Sequence, residues 1–295
     1  MARACARRPT AHNRRVPPLP ALARWLRRTV RGAPTPIPDA LWQATLAHYP
    51  FLARLPAPEQ ARLRRLATHF LAHKEFSGAH GLQVSDAMAV AVAAQACLPL
   101  LHLGPVATPE DALSWYDDFV GIVMHPADAV AARQVMDHAG VVHHYAEVLA
   151  GEAMQDGPVM LSWPAVQGDG TGAASSVVIH EFVHKMDMQA GGAHGAPPLP
   201  RGFMGARTAR EAAAIWARTW APAYQHFREQ LIRAERFGEP LPWLDAYAAS
   251  APAEFFAVAC EAHFVEPARF AQEFPALAAS LREFFKQKEP KARSQ

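Results

Sequence analysis

The stretch 177-VVIHEFVHKMDMQAG-191 places two histidines, His180 and His184, four residues apart, with Glu181 directly after the first. On a helix turning about 100° per residue, with His180 at zero, His184 lies at roughly 40°, Asp187 at roughly −20° and Glu181 at roughly 100°. Val178, Ile179, Phe182, Val183 and Met186 take the other side. The segment therefore predicts an amphipathic helix with an apolar face for the core and a separate polar edge carrying both imidazoles. A zinc helix needs that division. Neutral imidazole nitrogens must reach one ion at about 2.0–2.1 Å, and i, i+4 spacing stacks them suitably. Glu181 lies beside the pair, where it can address a metal-bound water without displacing it.

His69 and His73 provide an internal control. They are also four apart on a predicted helix, but Phe70 stands in the glutamate position and both rings fall on an arginine-rich side, so they read as surface histidines. For His180 and His184 the HExxH pattern is complete. A catalytic zinc needs a third protein ligand and an open position for water. The metzincin pattern would require Gly at 187 and His or Asp at 190, whereas the chain has Asp187 and Ala190, which excludes that class. A glutamate from a later helix remains, and spacing leaves Glu211, Glu254 and Glu261 open. Pro252 can start a helix, putting Glu254 in its first turn, where an acid is also stabilised by the positive helix end without any metal.

A chain of 295 residues can bury a large core. The net charge of +2 hides an asymmetry, because residues 1–31 hold nine arginines and no acid, leaving 20 basic against 27 acidic residues beyond them. The proline- and arginine-rich segment 1–35 buries too little apolar surface to order itself and predicts a disordered extension, with a short contact helix at 22–30 as the sharper alternative. No apolar core of signal-peptide length follows its Arg-Arg pairs, although the composition superficially resembles an organellar transit peptide. The most apolar run, 87–101, is too short to cross a bilayer. Cys5, Cys97 and Cys260 form no CxxC pair or disulfide framework, which fits a reducing cytoplasm.

Periodicity predicts helices at 38–48 and 59–73, and an alanine-rich one from the Ser85 cap to about 98. Apolar bursts at 118–125, 141–147 and 158–163 predict strands. Residues 168–172 and 191–202 read as loops, and from 208 onward the chain is mostly helical, with breaks at 238–242, Pro267 and Pro275. The expected fold class is α+β: one mostly helical domain over 36–287 with a small mixed sheet, followed by a flexible tail at 288–295.

Five blocks in order, RLRRLATHFLAHKEFSGAHGLQVSDAM, AAQACLPLL, PVMLSW, HEFVHKMDMQAG and APAEFFAVACEAHF, resemble the zinc-dependent peptidases related to Mlc titration factor A. The similarity spans most of 55–287. The motif helix with Asp187 is also similar to that of anthrax lethal factor, a more distant zincin. The resemblance implies a zincin-like metallopeptidase domain whose third zinc ligand is the glutamate of PAEFF, here Glu254, with Tyr247 facing the site. The family often has asparagine where this chain has Ala251, a departure that leaves the ligand in place.

On that resemblance, His180, His184 and Glu254 hold one Zn2+, Glu181 is the general base and Tyr247 stabilises the oxyanion. Asp187 is expected to orient an imidazole, and Glu261 to be a supporting or surface residue. The PVMLSW strand, 159–163, is either a substrate-pairing edge or an interior strand. The implied partners are a peptide or protein substrate, in the manner of an aminopeptidase or another peptidase, and a Mlc-like repressor of glucose uptake. The alternative is a repressor-titrating binding protein in which zinc is structural or regulatory. The acidic balance beyond the arm gives no reason to expect direct nucleic-acid binding.

Overall fold

The computed structural model describes residues 34–136, 142–168 and 175–286. The expectations for the arm up to residue 33, for the loop at 169–172 and for the tail at 288–295 lie outside these residues. The described residues from Pro36 onward belong to one compact unit. It is mostly helical with a small mixed sheet, an α+β arrangement.

Helices α1 (Asp39–His48), α2 (Pro50–Ala53), α3 (Ala57–His73) and α4 (Asp86–Cys97) come first. As the spacing predicts, α3 buries Leu63, Leu66, Ala67 and Phe70. His69 and His73 are half-buried on it, not solvated as expected, and His73 Nδ1 lies 2.6 Å from the His69 carbonyl. Ser85 caps α4, its Oγ accepting from the Met88 amide at 3.3 Å. The alanines of α4 let it pack closely in the core, buried along most of its length.

Strand β1 (Glu75–Gly78) lies between α3 and α4, and β2 (Gly121–His125), β3 (Ala129–Met136), β4 (Val142–Leu149), β5 (Gly151–Ala153) and β6 (Val159–Ser162) follow α4 in chain order. β3 and β4 pair with each other as an antiparallel hairpin. The other four form one sheet in the order β1-β2-β6-β5, parallel except for the antiparallel pairing of β5 with β6. The 159–163 segment is thus an interior strand, and among the described residues the edge beside it is β5. Trp163 leaves the strand and opens helix α5 (Trp163–Gln167), because Pro164 has no amide for the ladder and suits a helix start.

Helix α6 (Val177–Met188) carries the HExxH residues. Its apolar side is fully buried, with Phe182 against Tyr116, Phe70 and Phe119 at ring separations of 5.0, 5.6 and 5.8 Å. Residues 191–202 form the expected loop. Helix α7 (Ala209–Phe237) runs through Pro222, and a short 3-10 turn, Ala246–Ala249, precedes α8 (Pro252–Val265). α8 is apolar nearly all round and buried accordingly, with Phe255 and Phe256 packed on Trp220. Helices α9 (Pro267–Glu273) and α10 (Pro275–Phe284) each begin at a proline, where the sequence predicts breaks. No helix among the described residues is long and apolar enough to cross a membrane.

Candidate metal centre

The polar edge of α6 faces the first turn of α8. His180 Nε2 and His184 Nε2 lie 3.1 Å apart, and Glu254 Oε2 lies 2.9 Å from the first and 3.2 Å from the second. Of the three glutamates that spacing leaves open, Glu254 is the one that joins the histidines. Among the described residues, this is the one group of three or more His, Cys, Asp or Glu side chains placed to hold a metal ion. Glu211 is engaged elsewhere: at the start of α7 its carboxylate accepts from the Arg207 amide at 2.8 Å, while its own amide donates to Thr208 Oγ1 at 3.1 Å.

Glu261 lies on the same helix as Glu254, with its carboxylate behind His180. Oε1 takes a hydrogen bond from His180 Nδ1 at 2.7 Å and Oε2 one from the Ser176 amide at 2.6 Å. Ser176 is the N-cap of α6; its Oγ accepts from the Ile179 amide at 3.2 Å and donates to Gln95 Oε1 at 2.8 Å. Zinc requires the neutral form of His180, in which the Nδ1 proton is committed to Glu261 and the Nε2 lone pair faces Glu254 and His184. In that form the three ligand atoms, His180 Nε2, His184 Nε2 and Glu254 Oε2, come together. Their spacings approach the edge of about 3.4 Å expected between ligands of a tetrahedral ion at about 2.1 Å. The donor set of two imidazoles and a carboxylate suits zinc.

Without a metal, a proton on His180 takes the place of the cation. Burial works against a charged His180, but hydrogen bonds to Glu254 and Glu261 outweigh it and push the imidazole well above its ordinary pKa. Burial likewise opposes charge on Glu254, yet the two imidazoles hold its carboxyl well below the usual range. The cluster therefore attracts positive charge strongly.

Glu181 is buried beside the triangle and contributes no atom to it. Burial is the largest influence on its carboxyl and raises its pKa; the nearby histidines and a hydrogen bond from the Ala153 backbone on β5 pull the other way. β5 passes so close that a Cβ on Gly151 would lie 2.7 Å from both Cγ and Oε1 of Glu181. Tyr247 is 43% exposed, its ring 6.0 Å from that of His180. The turn bearing it is anchored by Tyr224 of α7, whose hydroxyl donates to the Ala249 carbonyl at 3.0 Å.

Asp187 does not orient an imidazole. Its carboxylate accepts from the backbone amides of His194, Gly195 and Ala196, and among the described residues His184 Nδ1 is buried without a hydrogen-bond partner. Three amides in the adjoining loop outcompete one ring nitrogen for the same oxygens. Sequence reasoning also passed over Lys185. It is fully buried, and its ammonium donates to Asp118 Oδ2 at 2.8 Å and to the carbonyls of Met154 at 2.6 Å and Gly157 at 3.0 Å. These bonds satisfy the buried charge and fix the turn between β5 and β6 against the helix that carries His180 and His184.

Comparison with known proteins adds an independent finding. The family model described as "Glucose-regulated metallo-peptidase M90" matches residues 22–286. Similar curated proteins include Mlc titration factor A of Salmonella arizonae, 34% identical over 250 residues that cover 84% of this chain and 91% of the relative. Mlc titration factor A of an Enterobacter species is 34% identical over 253 residues, covering 85% and 88%.

Proposed function

The chain belongs to the glucose-regulated metallo-peptidase M90 family, and from that premise we propose that it is a zinc-dependent peptidase of zincin type that also captures a Mlc-like transcriptional repressor. The observation that carries the peptidase reading is the convergence of His180 Nε2, His184 Nε2 and Glu254 Oε2 beside a buried Glu181 that stays outside their triangle. When bound there, zinc supplies Lewis acidity, which brings the pKa of a water toward neutrality and polarises a carbonyl.

The protein's own groups divide the remaining work. An extended peptide pairs its backbone with the β5 edge, which holds the scissile carbonyl over the site. Glu181 takes the proton of the attacking water and delivers it to the leaving amine. Its place suits both halves of that transfer, since it is buried beside His180 and His184 and held by the Ala153 amide without joining the triangle. The Tyr247 hydroxyl donates to the oxyanion that develops on the carbonyl oxygen.

Gly151→Ala tests the placement of Glu181. The added methyl forces the carboxylate or β5 to move, so hydrolysis is expected to fall at least about tenfold while zinc content stays at the wild-type level. Kinetics beside metal analysis check this; undiminished hydrolysis would mean that the close approach of β5 is immaterial.

Repressor capture is proposed from the curated relatives, which carry the name Mlc titration factor A. The combined experiment measures zinc per chain, peptide hydrolysis before and after chelation, and retention of a purified Mlc-like repressor. One zinc per chain with chelator-sensitive hydrolysis supports the peptidase. Capture without hydrolysis by the zinc-loaded protein would replace that reading with a binding protein whose zinc is structural or regulatory.

A further inference from the structure

Asp187 sits in the last turn of α6, fully buried, and does not reach the metal triangle. Its Oδ2 accepts from the amides of His194 at 2.7 Å and Gly195 at 2.6 Å, and its Oδ1 from that of Ala196 at 2.9 Å. Three consecutive amides thus wrap one carboxylate. The loop is gripped from its other side too, because Trp216 Nε1 of α7 donates to the Gly195 carbonyl at 2.8 Å.

What this loop touches matters for the site. Gly195 has φ +72°, a conformation that favours glycine, and a Cβ there would overlap the Pro252 carbonyl and come within 3.4 Å of the Ala253 amide nitrogen. Its backbone therefore lies directly on the first turn of α8, and Glu254 is two residues beyond Pro252. Ala251, the N-cap of α8, makes no side-chain capping bond. The helix end that presents Glu254 takes its position from what packs on it.

We propose that Asp187 is a positioning residue for metal binding: by holding residues 194–196 against Pro252, it sets where Glu254 meets His180 and His184. α6 then supplies two ligands directly and places the third through the loop at its own C-terminal end. This inference rests on the reading that these three residues hold zinc.

The test is a double-mutant cycle read as zinc affinity, by competition with a chromophoric chelator, in the wild type, Asp187→Asn, Glu254→Ala and the double variant. Asparagine keeps the size of the side chain but turns an NH2 toward amides that need an acceptor. Asp187→Asn is expected to weaken zinc binding at least about tenfold, the scale seen when groups supporting metal ligands are removed. In the Glu254→Ala background the same change is expected to cost less than about twofold, because its route to the metal is gone. Equal losses in both backgrounds, or no loss in either, would overturn the proposal, whereas a wild type that takes up no zinc would overturn the metal site itself. Should Asp187→Asn not fold, hydrogen exchange on the wild type decides: zinc should slow exchange of the amides at 194–196, and should not do so in Glu254→Ala. Exchange indifferent to zinc in the wild type would sink the idea.

Discussion

Glu254→Ala is expected to lower zinc affinity on the order of a thousandfold, roughly 4 kcal/mol. The carboxylate is the anionic member of the set, and Oε2 stands 2.9 and 3.2 Å from the two imidazole nitrogens. Without it, the two imidazoles remain and the negative charge that draws a cation to their Nε2 atoms is gone. The metal-free fold also loses the contacts of Glu254 with His180 and His184, which stabilise it at neutral pH. Glu254 lies in the first turn of α8, where a negative charge contributes about 0.3–1 kcal/mol through the helix dipole, while the core beneath rests on Phe255 and Phe256. Two measurements separate the quantities. Chelator competition gives the affinity, and thermal melting with and without zinc gives the linkage, since a ligand that binds only the folded state raises the melting temperature with its concentration. The zinc-dependent rise should disappear in the variant, and its metal-free melting at neutral pH should lie below that of the wild type, because the low pKa of the Glu254 carboxyl marks a stabilising contact. A variant that retains wild-type zinc affinity would show that the carboxylate is a helix-end acid and no ligand.

The contrast between Glu254 and Glu211 shows how far the chain could be read without coordinates. Periodicity placed both histidines on one edge of a helix, since that arrangement depends only on residues within two turns of each other. Choosing the glutamate depends on how α8 packs against α6, and local spacing carries no such information; family resemblance pointed to Glu254, and the coordinates bring it to the histidines. Glu261 was legible only as a supporting or surface residue, because its bond to the Ser176 amide joins residues 85 positions apart. The helices were readable from caps and prolines, as at Ser85, Pro267 and Pro275. β5 was not. Three residues, Gly-Glu-Ala, show no alternation and little β propensity, and they form a strand because β6 is beside them. Asp187 was misread for a similar reason. Its place on the histidine edge suggested a ring partner, whereas a glycine-rich loop turns back and offers three amides.

Glu181→Gln is expected to leave zinc affinity within about threefold of the wild type and to reduce peptide hydrolysis by about a thousandfold, within the 10²–10⁴ that a positioned general base contributes. Glutamine fills the same space beside Gly151 and can still accept from the Ala153 amide, so the neighbouring strand has no reason to move. It cannot take a proton from water. The stability effect has a definite sign in the metal-free protein. Burial raises the folded-state pKa of Glu181, so the fold disfavours its ionised form; that penalty is absent below the ordinary carboxylate range near pH 4 and accumulates as pH rises toward the raised value. Glutamine escapes it, and the metal-free variant should melt at or above the wild-type temperature at pH 7. Loss of hydrolysis in a protein that is no less stable and still binds zinc would isolate proton transfer from folding and from metal binding. The same variant separates the two proposed activities, because capture of a Mlc-like repressor depends on surface complementarity and should persist unchanged. Hydrolysis at the wild-type rate would remove Glu181 from the mechanism and leave the proton to another base.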